Sequence, residues 1–300
     1  MDINNVVVDG VELHLSHPDE LNIQMVGMYD LQKQLEACWI TFDEGDLPLT
    51  PRLLGRPGVG KTTLGYAVGK KLQQEVYIFQ CTMDTRPEDL IITPVIGDNQ
   101  KIRYQASPLV TAMIRGGVAI LDEGNRMNEK SWASLAPLFD NRRYVESVTA
   151  GIKVHAHPNF RCCITMNDDS STFEVPEYIM SRLQPQIYVD FPSQSEEKEI
   201  LKINLPFAEE ELLEKMSQFL YHAHHFGEPF SSRDGIHIIR YTRRISQHQE
   251  LTTEEALKQA IEQVLGKDAI NYLDPDYQPT FDMRYGQWGD EIDEDEDELV

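Results

Sequence analysis

The segment Gly55-Arg56-Pro57-Gly58-Val59-Gly60-Lys61-Thr62 restricts this chain more than any other. It matches G-x-x-x-x-G-K-[ST]. An apolar run, Leu49–Leu54, precedes it, and a helical stretch, Lys61–Gln73, follows it. Glycines let such a loop curl so that successive N–H groups point inward at phosphate oxygens, and the helix N-terminus adds partial positive charge. The motif assigns Gly55, Arg56, Pro57, Gly58, Val59, Gly60, Lys61, Thr62 and Thr63 to a nucleotide site. Lys61 would reach the β- and γ-phosphates, and the Thr62 hydroxyl would ligate Mg²⁺.

A site of this kind needs a second strand ending in an acid. Gly117-Val118-Ala119-Ile120-Leu121-Asp122-Glu123 supplies it. Asp122 would hold Mg²⁺, mostly through water. Glu123, one residue on, can polarise an attacking water as a general base. No N-K-x-D guanine-reading motif occurs, which favours ATP over GTP.

Short apolar strands at 49–54, 76–80, 118–121, 160–166 and 187–191 alternate with helical patterns at 27–45, 61–73 and 128–139. That alternation means an α/β fold with a parallel sheet. Arg143–Ser147 and Ile152–Ala156 flank Thr149-Ala150-Gly151 as a hairpin. After Pro192 strand signals fade. Ser193/Glu196 and Thr252/Glu255 have capping-box spacing, so a small helical domain is expected. The expected division is a lead-in at 1–22, an α/β domain at 23–192, a helical lid at 193–270 and an acidic, disordered tail at 271–300.

Net charge bounds the partners. Lys plus Arg number 27 against 50 Asp plus Glu, a balance of -23. Eight of the nine residues 290–298 are acidic, and the rest is acidic without them. A general electrostatic grip on nucleic acid or anionic lipid is therefore disfavoured. Four cysteines without a C-x-x-C pair, no signal-like N-terminus and no apolar run of about 20 residues point to a reducing cytoplasmic setting.

With both phosphate-site motifs in place, residues 25–240 resemble the AAA+ ATPases, in their MoxR and dynein-related (midasin-like) branch. LLGRPGVGKTTL resembles the Walker A motif of that branch, and GGVAILDEGNRMNEKSWASLAPLFD its Walker B motif with the following helix. ITMNDDSSTFEVPEYIMSRLQPQI resembles sensor 1 followed by the arginine-finger segment. The fold implied is a P-loop NTPase parallel sheet flanked by helices, followed by an all-α lid.

Further roles follow from the resemblance alone. Asn167 would be sensor 1, positioning the water. Arg182 would be the finger reaching a neighbouring subunit's nucleotide, with Arg142 and Arg143 as rivals. Arg233 would be sensor 2, and Val26-Gly27 would pack on adenine. The stretch around 97–105 and the hairpin at 143–156 occupy the places of the helix-2 insert and pre-sensor hairpin, which in relatives face a pore or a client. A hexameric ring, ATP and Mg²⁺ are implied, with a protein client and a von Willebrand-type metal-binding partner. The chain departs from the pattern after Asp89-Leu90, where the glycine, Gly97, comes late.

A nucleic-acid motor or defence-complex subunit on the same fold is the rival reading, with Lys101, Arg103 and Lys153 as its few basic loop residues. His222 and His225 lack further ligands at metal spacing. Cys162 and Cys163, adjacent on a strand, should face opposite sides as core residues.

Overall fold

The computed structural model describes residues 4–43, 45–97, 101–168 and 174–279. Its centre is a five-stranded parallel sheet of β3 (Arg52–Gly55), β4 (Val76–Gln80), β7 (Val118–Asp122), β10 (Arg161–Asn167) and β11 (Gln186–Tyr188), in the order β11-β3-β10-β7-β4. The register pairs Asn167 with Gly55 and Gln80 with Asp122. Loop, acid and polar strand end therefore emerge along one carboxyl edge, where open parallel sheets bind ligands.

Helices α1 (Tyr29–Trp39), α2 (Lys61–Lys71), α4 (Pro108–Arg115) and α5 (Glu129–Leu135) accompany this sheet, with short turns α3 (Pro87–Leu90) and α6 (Glu177–Met180). The strands are apolar on both faces, as a sheet between two helical layers requires. Cys162 joins the core with Trp132 and Leu109, and Cys163 the opposite one with Leu64 and Val68. Helix α2 lies close against the sheet because it carries glycines there. A Cβ on Gly69 would sit 2.7 Å from Val76 Cγ2 and 3.2 Å from Val118 Cγ2. Gly69→Val is therefore expected to cost about 1–3 kcal/mol through overpacking, read as a lower Tm.

A second sheet combines β1 (Asn5–Val8), β2 (Val11–His14), β6 (Ile102–Ala106) and β5 (Ile92–Ile96), in the order β1-β2-β6-β5. Here the lead-in hairpin joins the insert: β2 runs parallel to β6 through Leu13↔Tyr104 and His14↔Gln105. A two-stranded ribbon, β8 (Tyr144–Ser147) and β9 (Ile152–His155), forms where the hairpin is expected. The two inserts touch: Thr149 O accepts from Tyr104 Oη, and Thr149 Oγ1 donates to Ile92 O, both at 3.5 Å.

The helical region comprises α7 (Gln194–Asn204), α8 (Glu210–His225), α9 (Ser232–Gln249) and α10 (Thr253–Leu265), then a 3-10 stretch at Lys267–Leu273 that extends past the expected boundary at 270 because Tyr272 is buried in the helical core. Its own core gathers Leu201, Met216, Phe219, Leu220, Ile238, Ile239 and Ile261. Capping boxes start α7 at Ser193, α9 at Ser231 and α10 at Thr252.

Several boundaries differ from expectation. Helix α1 stops at Trp39 rather than near Gly45, because Ile40 turns to extended backbone at ψ 138°. Strand β3 starts at Arg52 rather than Leu49: the Leu49 N–H is taken by Cys38 O, and Pro51 has no N–H to donate. Helix α4 has no counterpart among the expected elements. Its signals are nonetheless complete, with Ser107 as N-cap, Pro108 at the first position and Gly116 at φ 72° after the end.

Candidate nucleotide site

A cavity of about 350 Å³ opens at the carboxyl edge of the parallel sheet. The loop Pro57–Thr63 forms its floor, with Asp122, Glu123, Thr165 and Asn167 along one wall. Val26 and Met28 close one side, and Ile200, Asn204, Ser232, Arg233 and Ile236 of the helical region close the other. The loop is built by backbone that side chains resist. Gly58 and Gly60 sit at φ 83° and 99°. At Gly55 (φ 154°) a Cβ would meet Val189 O at 2.1 Å.

Lys61 Nζ donates to Gly55 O at 2.7 Å and Arg56 O at 2.8 Å. Burial pulls its pKa down, and Asp122 and Glu123 oppose that pull. Asp122 Oδ1 accepts from Thr62 Oγ1 at 2.5 Å and from Thr165 Oγ1 at 2.6 Å. This clustering of hydroxyl and carboxylate oxygens fits Mg²⁺, which takes few protein ligands and fills its shell with water and phosphate.

Glu123 occupies left-handed backbone at φ 55°, a strained conformation for a non-glycine residue. Its N–H donates to Thr165 Oγ1 at 2.9 Å, and its Oε1 accepts from Asn167 Nδ2 at 3.3 Å. Arg126 Nε stands 2.7 Å from Oε2, as an ion pair without good hydrogen-bond alignment. Asn125, buried, clamps Asn167 from both sides: Nδ2 donates to Asn167 O at 2.7 Å, and Oδ1 accepts from Asn167 N at 3.4 Å. Thr165, Asn125 and Arg126 are not among the residues expected from sequence. Thr165 had a signal, a hydroxyl two residues before Asn167 on a buried strand and so on the same face.

Residues 52–183 match the AAA domain of the dynein-related subfamily. Over those residues the chain is similar to dynein-related AAA domains. It is 30% identical over 115 residues to protein CbbQ of Hydrogenophilus thermoluteolus, covering 38% of this chain and 43% of that one. It is 27% identical over 158 residues to the denitrification regulatory protein NirQ of Pseudomonas aeruginosa, covering 50% and 57%. Protein MoxR of Methylorubrum extorquens is 29% identical over 142 residues, covering 47% and 40%. The chain thus spans about half the length of the curated relatives it matches. In fold it is similar to Thermotoga maritima RuvB, a Holliday junction branch migration motor, at TM-score 0.53 and 18% identity over 79% of this chain and 69% of that one.

The candidate arginines fall in three separate places. Arg182 and Arg142 lie outside the cavity and share one carboxylate, Asp140, at 3.4 and 2.8 Å. Arg142, then Arg182, hold Asp140 down to about 2. Arg182 Nη1 also donates to Tyr178 O. Arg143 is committed elsewhere: its Nη2 donates to Phe160 O at 3.1 Å, and its guanidinium lies 5.4 Å from the Phe160 ring centre. Arg240, Arg243 and Arg244 lie exposed on α9, away from the cavity.

Two predicted cavity residues contribute differently than expected. Arg56 turns from the cavity to the helical region, donating to Gly227 O at 2.9 Å. Gly27 serves by having no side chain, since its Cβ would overlap Glu196 Oε1 at 2.0 Å. The same Glu196 oxygen accepts from Met28 N at 3.1 Å. His222 lies on the lid with Nδ1 3.2 Å from Tyr272 O. Among the described residues, no group of three or more His, Cys, Asp or Glu could hold a metal, and no helix is long and apolar enough to cross a membrane.

Proposed function

We propose that this AAA protein hydrolyses ATP in a ring and uses the cycle to remodel or activate a protein client. The observation that carries this reading is the convergence of Lys61, Thr62, Asp122, Glu123 and Asn167 on one cavity, while the finger candidates stay outside it. A site built this way is completed by a second subunit.

Lys61, released from Gly55 O and Arg56 O, binds the β- and γ-phosphate oxygens, joined by the loop N–H groups. Thr62 and, through water, Asp122 would hold Mg²⁺, which would supply charge neutralisation at the phosphates. Glu123 takes a proton from the attacking water as Asn167 orients it. Arg182 of one subunit reaches the neighbour's γ-phosphate and offsets the charge that develops there. Arg142, tied to the same Asp140, is the alternative finger. Val26 and Met28 offer apolar contact to the base, and Arg233 closes over the phosphates.

Client work is supported by the two touching inserts. Ile96, Ile102 and Val148 are 83%, 64% and 91% exposed at their ends, a costly display unless something covers it. The overall acidity supports a protein client over DNA or RNA. A hexamer, a von Willebrand-type partner and a cytoplasmic setting belong to the same reading.

The test is retention. Tagged Glu123→Gln is loaded with ATP and Mg²⁺, and bound protein and nucleic acid are quantified together. A dominant protein held only with ATP is the expected result. Nucleic acid surviving physiological salt in place of protein would replace this reading with the motor alternative. In a second test, Arg182→Ala is expected to bind ATP normally and turn over at least about a hundredfold more slowly, as loss of a transition-state charge partner predicts. Full turnover by that variant would move the finger to Arg142.

A further inference from the structure

Helix α7 begins with adjacent carboxylates that point to different bodies. Glu196 holds Met28 N beside the cavity. Glu197 turns inward and is fully buried. Its Oε1 accepts from Ser232 Oγ at 2.5 Å, and Ser232 precedes Arg233. Its Oε2 has no hydrogen-bond partner among the described residues. His224 Nδ1 stands 3.8 Å from that oxygen.

The histidine's other nitrogen decides what faces that oxygen. Nε2 lies 2.5 Å from Phe230 O, a pure acceptor, so Nε2 carries the proton. In neutral His224, Nδ1 therefore presents a lone pair to Glu197. Among the described residues, no donor reaches Glu197 Oε2 in this buried place. An ionised Glu197 would leave its charge unpaired there, which is costly. One proton shared by the pair resolves the conflict.

The pair is wired to the phosphate loop. Phe191 stacks on the His224 ring with centres 3.7 Å apart. The Arg56 guanidinium lies 5.5 Å from the Phe191 ring centre and donates to Gly227 O. A Cβ on Gly58 would meet Ser231 Oγ at 2.6 Å, so loop and lid are already in close approach. Around the pair, Ser232 faces Glu197 from α9, while Arg56 and Asp190 act on His224 from the phosphate loop and the segment before α7.

We propose that Glu197 and His224 share one proton whose presence seats the lid on the phosphate loop, making both positioning residues for Arg233 and Arg56. This rests on the nucleotide reading above. Burial supports it by pushing Glu197 up to about 7 and His224 downward. Losing the proton leaves a buried charge that only solvent can relieve, and opening the lid admits solvent. Nucleotide affinity should therefore fall as pH rises through neutrality.

The stability sign follows from the same raised carboxyl. Between the ordinary carboxyl range and about 7, the unfolded chain has lost a proton that the folded chain keeps. Stability drains away as pH rises through that window and stays reduced above it. The experiment compares the full chain with Glu197→Gln, which preserves shape and an acceptor for Ser232. Thermal unfolding is read at pH 5 and pH 8, and Mg²⁺–ATP affinity from pH 6 to pH 8.5.

The glutamine variant should gain Tm over the native chain at pH 8 and not at pH 5. Native affinity should weaken with pH, by up to about tenfold per unit above the transition, against a nearly flat variant. Ser232→Ala should lower Tm yet keep the pH dependence, as loss of a merely structural bond would. A native-to-variant affinity ratio independent of pH, with ATP binding intact, overturns this proposal alone. Absence of ATP binding at every pH overturns the nucleotide reading and this one together.

Discussion

Glu123→Gln is expected to bind ATP about as tightly as the native chain and to hydrolyse it at least about a hundredfold more slowly. A positioned general base contributes about 10²–10⁴ in rate, and glutamine cannot take the proton. The structure isolates that effect from binding. Glu123 contacts Thr165, Asn167 and Arg126, whereas the expected phosphate ligands are Lys61, the loop N–H groups and Thr62. Glutamine keeps the acceptor that Asn167 uses and loses only the ion pair to Arg126. Single-turnover hydrolysis beside equilibrium binding of labelled ATP makes the comparison. Native turnover in the variant would remove Glu123 from the base role and leave the cavity without an obvious replacement.

Lys61→Ala should fail earlier, at binding. Charge-assisted hydrogen bonds contribute about 1.5–3 kcal/mol each. Losing contacts to two phosphates should therefore weaken ATP by a few hundredfold or more. The fold should survive. Among the described residues Lys61 holds Gly55 O and Arg56 O, and its burial already works against its charge. Isothermal titration with Mg²⁺–ATP, with Tm measured in parallel, separates the outcomes. Unchanged affinity at unchanged Tm would mean that the loop does not bind phosphate.

Lys61, Thr62, Asp122 and Glu123 could be nominated from sequence because the chemistry proposed for them is local. A loop that cradles phosphate needs glycines at fixed steps, and a short motif records that need. Cys162 and Cys163 were legible for a similar reason, since neighbours on a strand must face opposite ways, and they do. The helical region was readable from its caps and from the loss of strand signals. Asn167 and Arg182 needed the family resemblance, because a lone Asn or Arg carries no signal of its own.

Other features depend on contacts between distant parts of the chain. Asn125 grips Asn167 across 42 residues, and Thr165 reaches Asp122 across 43. Both contacts exist only because β7 and β10 pair in parallel at one register. The addition of β2 to β6 is likewise a matter of edge pairing, which alternation along either strand leaves open. Arg56 reads from sequence as a loop residue aimed at phosphate, yet packing sends it to Gly227. Glu197 carries no mark of its own in the sequence, and its burial appears only once α7, α8 and α9 close around it. Sequence alone nominated a phosphate-binding loop and its acidic partner strand, because backbone curvature and reactive groups are set within a few residues. Tertiary structure decided how that chemistry is braced and how the lid meets it, because those contacts depend on strand register and helix packing over long separations.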